Sequence, residues 1–368
     1  LMAFETSTRN LAPVVSNVAA SQRLDGSKTV DITYDLFDPE GDSCAVSLRL
    51  SSNGGTSFDI AASFARMSGD VGPDIASGPG KHIVWEAGGE DFDLDGAYLY
   101  RVYADDGFAT PPPPGFILVE GGSFFNGYST VTLGSYYLAQ YELTQQDYQI
   151  VMGSNPAWGY GVGGSYPVYR VSWLKALEYC NRRSLQEGLA PCYSFSAYGS
   201  DPDDWPIGWD LYYTNHQYFS CNNEASGYRL PTDMEWEFAA RGGILSNNYS
   251  YSGSNIPGEV GWYYDNSGAY YEGHPDYGTH PVGLKLPNEL GFYDMTGNVW
   301  EWCWDRYGDL PNTPQTNPTG PVTGDYRIIR GGSWVNYAGI VLVNFRWYYF
   351  ASHTDINIGI RVLRKVLP

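Results

Sequence analysis

Positive charge is the scarcest commodity in this chain. Its 368 residues carry 21 Lys and Arg against 41 Asp and Glu, a net charge of −20. So acidic a molecule lacks the Lys/Arg surface that nucleic-acid phosphates require, and no nucleic-acid partner is expected. Cysteine is sparse as well: Cys44, Cys180, Cys192, Cys221 and Cys303, widely spaced, with no CxxC. A zinc centre built on paired thiolates is therefore excluded. Cys180 and Cys192 are candidates for a disulfide, a pairing the sequence leaves open. No apolar run reaches the length of a membrane span, and no secretory leader opens the chain. Contact with a membrane is expected only through an N-terminal anchor that has been removed or lost. HExxH and GxSxG are absent, and the five histidines (His82, His216, His274, His280, His353) stand apart from nucleophile or paired-ligand patterns.

What the chain has in quantity is Gly (44), Tyr (32) and Trp (12). Low charge with abundant Tyr, Gly, Ser and Asn is the composition of secreted bacterial proteins. An extracellular or bacterial cell-surface location is expected, with a lipoprotein leader absent from this sequence. The length points to two domains.

Residues 1–109 read as all-β. Thr29–Tyr34, Cys44–Leu50, Lys81–Trp85 and Tyr98–Tyr103 alternate apolar and polar residues between Gly, Pro and Asp turns. Short strands at this spacing predict an Ig-like β-sandwich. Asp91-Phe-Asp93-Leu-Asp95-Gly96 fits half an EF-hand loop. Its twelfth position is Val102 rather than Glu, so an acidic hairpin tip is expected instead. Gly78-Pro-Gly-Lys81 is followed by His82, so it is not a phosphate loop. Residues 110–115, Thr-Pro-Pro-Pro-Pro-Gly, form a stiff linker.

From residue 116 to 368 the pattern becomes α+β. Thr144 caps a helix over Gln145–Met152, which Gly153 stops. Ser172 caps a longer one over Trp173–Glu187, whose Leu174, Leu177, Cys180 and Asn181 share a face, and Gly188 ends it. Thr232-Asp-Met-Glu235 is a capping box for a third helix that ends at Gly242-Gly243.

The last forty residues are the least ordinary. Arg330-Gly-Gly-Ser-Trp334 and Ile358-Gly-Ile-Arg361 punctuate a segment crowded with Tyr337, Phe345, Trp347, Tyr348, Tyr349 and Phe350. Trp347–Phe350 does not alternate, so rings must point both ways from it. One reading is an aromatic core sheet. The other is a recognition surface, for which Tyr and Trp are well suited.

Gly227-Tyr-Arg-Leu-Pro-Thr-Asp-Met-Glu-Trp-Glu-Phe-Ala-Ala-Arg241 resembles the central motif of the formylglycine-generating enzyme domain, a branch of the C-type lectin fold. Gly121–Phe124, Glu142–Thr144, Pro167-Val168, Val171–Trp173, Thr279–Val282, Asn288–Trp302, Arg330–Trp334 and Ile358–Arg361 agree in order. The resemblance spans residues 116–365. The enzymes of that family carry two cysteines at the second and seventh positions after the Gly-Gly-Ser-aromatic motif. Asn336 and Val341 stand there, so neither thiolate exists and no catalytic residue is expected. A thiol-dependent alternative has only Cys303 as a late candidate. The resemblance also implies a structural calcium site, with Asp294 and Glu301 as carboxylate ligands and Gly297 and Val299 as carbonyl ligands. A pair of carboxylates capping the same turn is the competing reading.

The tail further resembles the variable region of proteins encoded by diversity-generating retroelements, which rewrite adenines, largely in Asn codons. Residues 335–357 contain no Lys, Glu, Gln or Met, which that rewriting does not reach, and Trp347 reads as a fixed exception. The residues expected to meet a ligand are Val335, Asn336, Tyr337, Ile340, Asn344, Phe345, Trp347, Tyr348, Tyr349, Phe350, His353 and Asp355. Val341 and Val343 are expected in the core. The implied function is non-catalytic binding of a protein ligand at the cell surface. A formylglycine-generating oxidoreductase using other residues and a purely structural surface module are the alternatives.

Overall fold

The computed structural model describes residues 13–39, 41–51, 60–89, 99–105 and 113–366. The chain divides into two compact units, residues 1–111 and 112–367.

In the first unit the alternating stretches are strands. Thr29–Phe37 buries Ile32, Tyr34 and Leu36, and Cys44–Ser51 buries Cys44, Val46, Leu48 and Leu50. One antiparallel sheet runs Val14–Gln22, Thr29–Phe37, Gly78–Glu86, Met67–Gly69. In the other, Cys44–Ser51 pairs along its length with Leu99–Asp105 and at its ends with Ile60–Ala61 and Gly72–Ile75. Sequence reasoning missed Val14–Gln22 because it buries almost nothing and so shows no apolar period. The acidic segment 91–96 lies outside the described residues.

The second unit is α+β, as expected. Its three main helices begin and end where their caps lie. Helix α1 is Gln145–Met152, with Thr144 Oγ1 accepting from Asp147 N and Gly153 at φ 76°. Helix α2 is Trp173–Gln186, with Ser172 accepting from Lys175 N; Leu174, Leu177, Cys180 and Asn181 are all buried. Helix α3 is Asp233–Ala240, opened by a complete capping box between Thr232 and Glu235. Cys180 and Cys192 remain free thiols.

Two sheets position the tail. The first runs Tyr228–Arg229, Leu363–Lys365, Tyr136–Ala139, Phe116–Val119, so the last strand pairs beside the opening ones. The second runs Trp347–Phe350, Tyr326–Arg330, Trp300–Arg306, Ile358–Gly359. Trp347–Phe350 is therefore an edge strand.

Three buried arginines fasten these layers. Arg361 meets Glu301 at 2.7 Å and donates to the carbonyls of Ala139, Gln140 and Tyr293. Arg330 pairs with Asp233 at 2.5 Å and Glu237 at 2.7 Å, and donates to the carbonyls of Val343 and Phe345 in the tail. Arg327 lies over the ring of Trp173 at 3.7 Å. Arg361 and Arg330 are buried with carboxylate partners, the condition under which a buried charge is tolerable.

Candidate ligand-binding site

From Gly331 to Arg346 the chain advances as successive turns rather than strands. Asn336 N donates to Ser333 O, Ile340 N to Tyr337 O, and Phe345 N to Leu342 O. Gly332 permits this path: its φ is +73°, and a Cβ there would sit 2.5 Å from Val341 Cγ1. Val341 and Val343 are buried, and Trp334 is buried against Tyr160 and Tyr277.

The turns enclose a cleft of about 340 Å³ lined by Trp300, Val335, Asn336, Ile340, Phe345, Trp347, Tyr349 and Asn357. Six of the twelve tail residues expected to meet a ligand converge there. Trp347 and Tyr349, two residues apart, share the cleft side of the edge strand, as strand geometry requires. Tyr348 and Phe350 take the opposite side. Tyr348 packs on Tyr307 at 4.1 Å and Tyr326 at 4.7 Å, and Phe350 packs on Tyr213 and Tyr326, each at 4.6 Å. This is why the four-ring run shows no alternation: both faces are aromatic, and all four rings are partly open to solvent.

The remaining expected residues lie outside the lining. Tyr337 is 62% exposed and rests on Tyr264 at 4.4 Å. Asn344 is exposed and Asp355 half-buried. His353 stacks against Tyr349 at 4.1 Å and so supports a lining residue from behind. Arg346, the tail's only cation, is held by Asp233 at 2.7 Å and Gly308 O at 3.0 Å; it anchors the turns. Trp300 was missed because it lies in the Asn288–Trp302 motif, which reads as framework, and Asn357 because it borders the Ile358–Arg361 punctuation.

The loop expected to hold calcium is held by protein groups. Glu142 accepts from Asn298 Nδ2 at 2.6 Å and Val299 N at 2.9 Å. Asp294 Oδ2 accepts from Gly283 N at 2.7 Å, while its Oδ1 is buried without a partner. Burial pushes Asp294 up to about 6. Glu301 has no oxygen to spare: Trp236 Nε1 donates to it at 2.6 Å, and Arg361 contacts both oxygens. Gly297 is required by a close approach, since a Cβ there would meet Trp262 O at 2.0 Å. At the four residues implied for calcium, Asp294, Gly297, Val299 and Glu301, the Glu301 oxygens are thus taken by Trp236 and Arg361 while Asp294 Oδ1 is left without a partner. Arg361 already neutralises Glu301.

Cys303 is fully buried, and burial raises its pKa well above the ordinary thiol value, which disfavours the thiolate. His280 is stacked on Trp262 at 3.6 Å, and burial lowers it to about 4, so its imidazole is neutral.

Residues 106–366 match the sulfatase-modifying factor enzyme 1-like domain. The chain belongs to that family. Chaperone protein LppX of Paenibacillus barcinonensis is 40% identical over 264 residues, 68% of this chain and 89% of that protein. The formylglycine-generating enzyme of Streptomyces coelicolor is 37% identical over 118 residues, 30% of this chain and 37% of that enzyme. Among solved structures, Treponema denticola variable protein 1 superposes with a TM-score of 0.57 at 27% identity, covering 74% of this chain and 98% of that one. Among the described residues, no helix is long and apolar enough to cross a membrane.

Proposed function

We propose that the second unit is a non-catalytic recognition module of the cell exterior, carried on an Ig-like first unit, and that its tail cleft binds a protein ligand. One observation carries the reading. Asn336 lines the cleft at a position where the family's enzymes have a cysteine, and it is joined there by six other tail residues. Large, partly exposed rings on a fixed scaffold are suited to hot-spot contacts with proteins. The likeness to a variable protein supports this reading at the level of the whole domain.

The test has two arms. Mass spectrometry of a cysteine-containing sulfatase peptide incubated with the protein, copper and oxygen is expected to find no formylglycine; turnover would overturn the reading. A screen against arrayed extracellular protein domains is expected to yield a ligand whose affinity falls about tenfold or more on Trp347→Ala. Ligands indifferent to that change would move recognition away from the cleft.

The identity with LppX favours a second reading, in which the ligand is an exposed apolar segment of a client protein. It uses the same cleft and differs in sequence tolerance: many unrelated apolar segments would bind.

A further inference from the structure

The cleft is apolar on its walls and polar at one place on its floor. Ser333, fully buried, joins two asparagines there. Asn357 Nδ2 donates to Ser333 Oγ at 2.9 Å, and Ser333 Oγ donates to Asn336 Oδ1 at 2.5 Å. A serine hydroxyl has one proton to give, so this relay has a direction. It uses the acceptor end of Asn336 and the donor end of Asn357. The opposite ends stay available: Asn336 Nδ2 as donor and Asn357 Oδ1 as acceptor. Among the described residues neither atom has a hydrogen-bond partner, and both side chains line the cleft. The lining contains no Asp, Glu, Lys, Arg or His.

A donor and an acceptor bonded through the same hydroxyl, in a neutral apolar cleft, complement a group with one carbonyl and one N–H. From this geometry we propose that the floor of the cleft reads a secondary amide: the ligand's C=O accepts from Asn336 and its N–H donates to Asn357. Rings of Trp300, Phe345, Trp347 and Tyr349 flank the position, so the amide is one carried beside a bulky apolar group. An extended peptide segment of a partner protein has that pattern. A charged group would be desolvated there without a counter-charge. This inference rests on the recognition reading above and specifies what the cleft recognises. Ser333 is the positioning residue, since it sets which end of each amide faces the ligand.

The experiment compares N-benzylacetamide with benzyl acetate, an ester of nearly the same shape that lacks the N–H. Binding is followed by NMR on protein labelled with nitrogen-15 in its asparagine side chains. N-benzylacetamide is expected to shift the Asn336 amide signals and to bind about 2- to 10-fold more tightly than the ester, the worth of one net hydrogen bond. In Asn357→Leu and in Ser333→Ala the preference should disappear while the ester still binds, whereas Asn336→Leu, which removes the donor to the carbonyl both compounds carry, should weaken amide and ester alike. Equal affinity of amide and ester in the unmodified protein would overturn the proposal, and that comparison holds even if a variant fails to fold. N-acetylglucosamine binding more tightly than N-benzylacetamide would overturn the peptide as the source of the amide. The two readings fail in different ways. If amide and ester bind equally and both are lost in Trp347→Ala, the recognition cleft stands and amide reading falls. If neither shifts any cleft signal, both fall.

Discussion

At Gly332 the backbone beneath the cleft admits no side chain. The residue combines a left-handed φ with a Cβ position 2.5 Å from Val341. Gly332→Ala should lower stability by about 1–3 kcal/mol or more through strain, read by denaturant unfolding. Arg361 makes a larger contribution of a different kind, through its buried pair with Glu301. Arg361→Met would leave Glu301 buried and unpaired, at a cost of about 3–5 kcal/mol. A melting temperature unchanged by that substitution would show that Glu301 finds another partner. Titration supplies a further test. Burial together with the neighbouring Asp233 carboxylate pushes Asp305 up to about 8, and burial pushes Asp294 up to about 6. Both acids hold protons more tightly when folded, so the folded state binds more protons between pH of about 4 and 8. Their contribution to stability is greatest below that window and is lost as pH rises through it. Asp305→Asn, neutral at every pH, should therefore lose less stability than the parent between pH 6 and 9. A parallel pH profile for the two proteins would contradict the raised value.

The edge strand and the turns before it show what the sequence could and could not reveal. Caps were legible because they are local chemistry: Thr144, Ser172 and Thr232 each fix a helix start through a hydrogen bond three residues on. The framework of the second unit was legible as a resemblance, motif by motif. Which side each ring of Trp347–Phe350 takes was not, because both sides of that strand are aromatic and periodicity has nothing to contrast. The pairing of Arg361 with Glu301 was equally hidden, since the two residues are sixty apart in sequence and only the closed fold brings them together. The element-scale prediction is tolerance. Substituting Tyr337, Asn344 and Phe350 together with Ser, Asp or Asn should shift the melting temperature by only a few degrees, because Tyr337 and Asn344 are exposed and Phe350 is 39% exposed. A collapse in stability would make those side chains part of the core.

At the scale of the whole molecule, each unit has its own apolar core, one around Ile32, Leu48 and Ile83 and others around α2 and α3. Charge and fastening set what the second unit needs from solution. Among its described residues, loops are tied by Glu142, Arg330 and Arg361, and the cysteines are free thiols. Chelation with EDTA should accordingly leave its melting temperature within about 1 °C, since these ties are made between protein groups. A fall of several degrees, reversed by calcium, would restore the metal to the Asp294 loop. The central claim, that the tail cleft is the surface this chain uses, is tested most directly by peptide selection. Phage-displayed peptides would be selected on the immobilised protein, and their affinities remeasured on Trp347→Ala protein with an unchanged melting temperature. The account predicts that the selected peptides lose about tenfold or more in affinity; peptides that bind both proteins equally would contradict it.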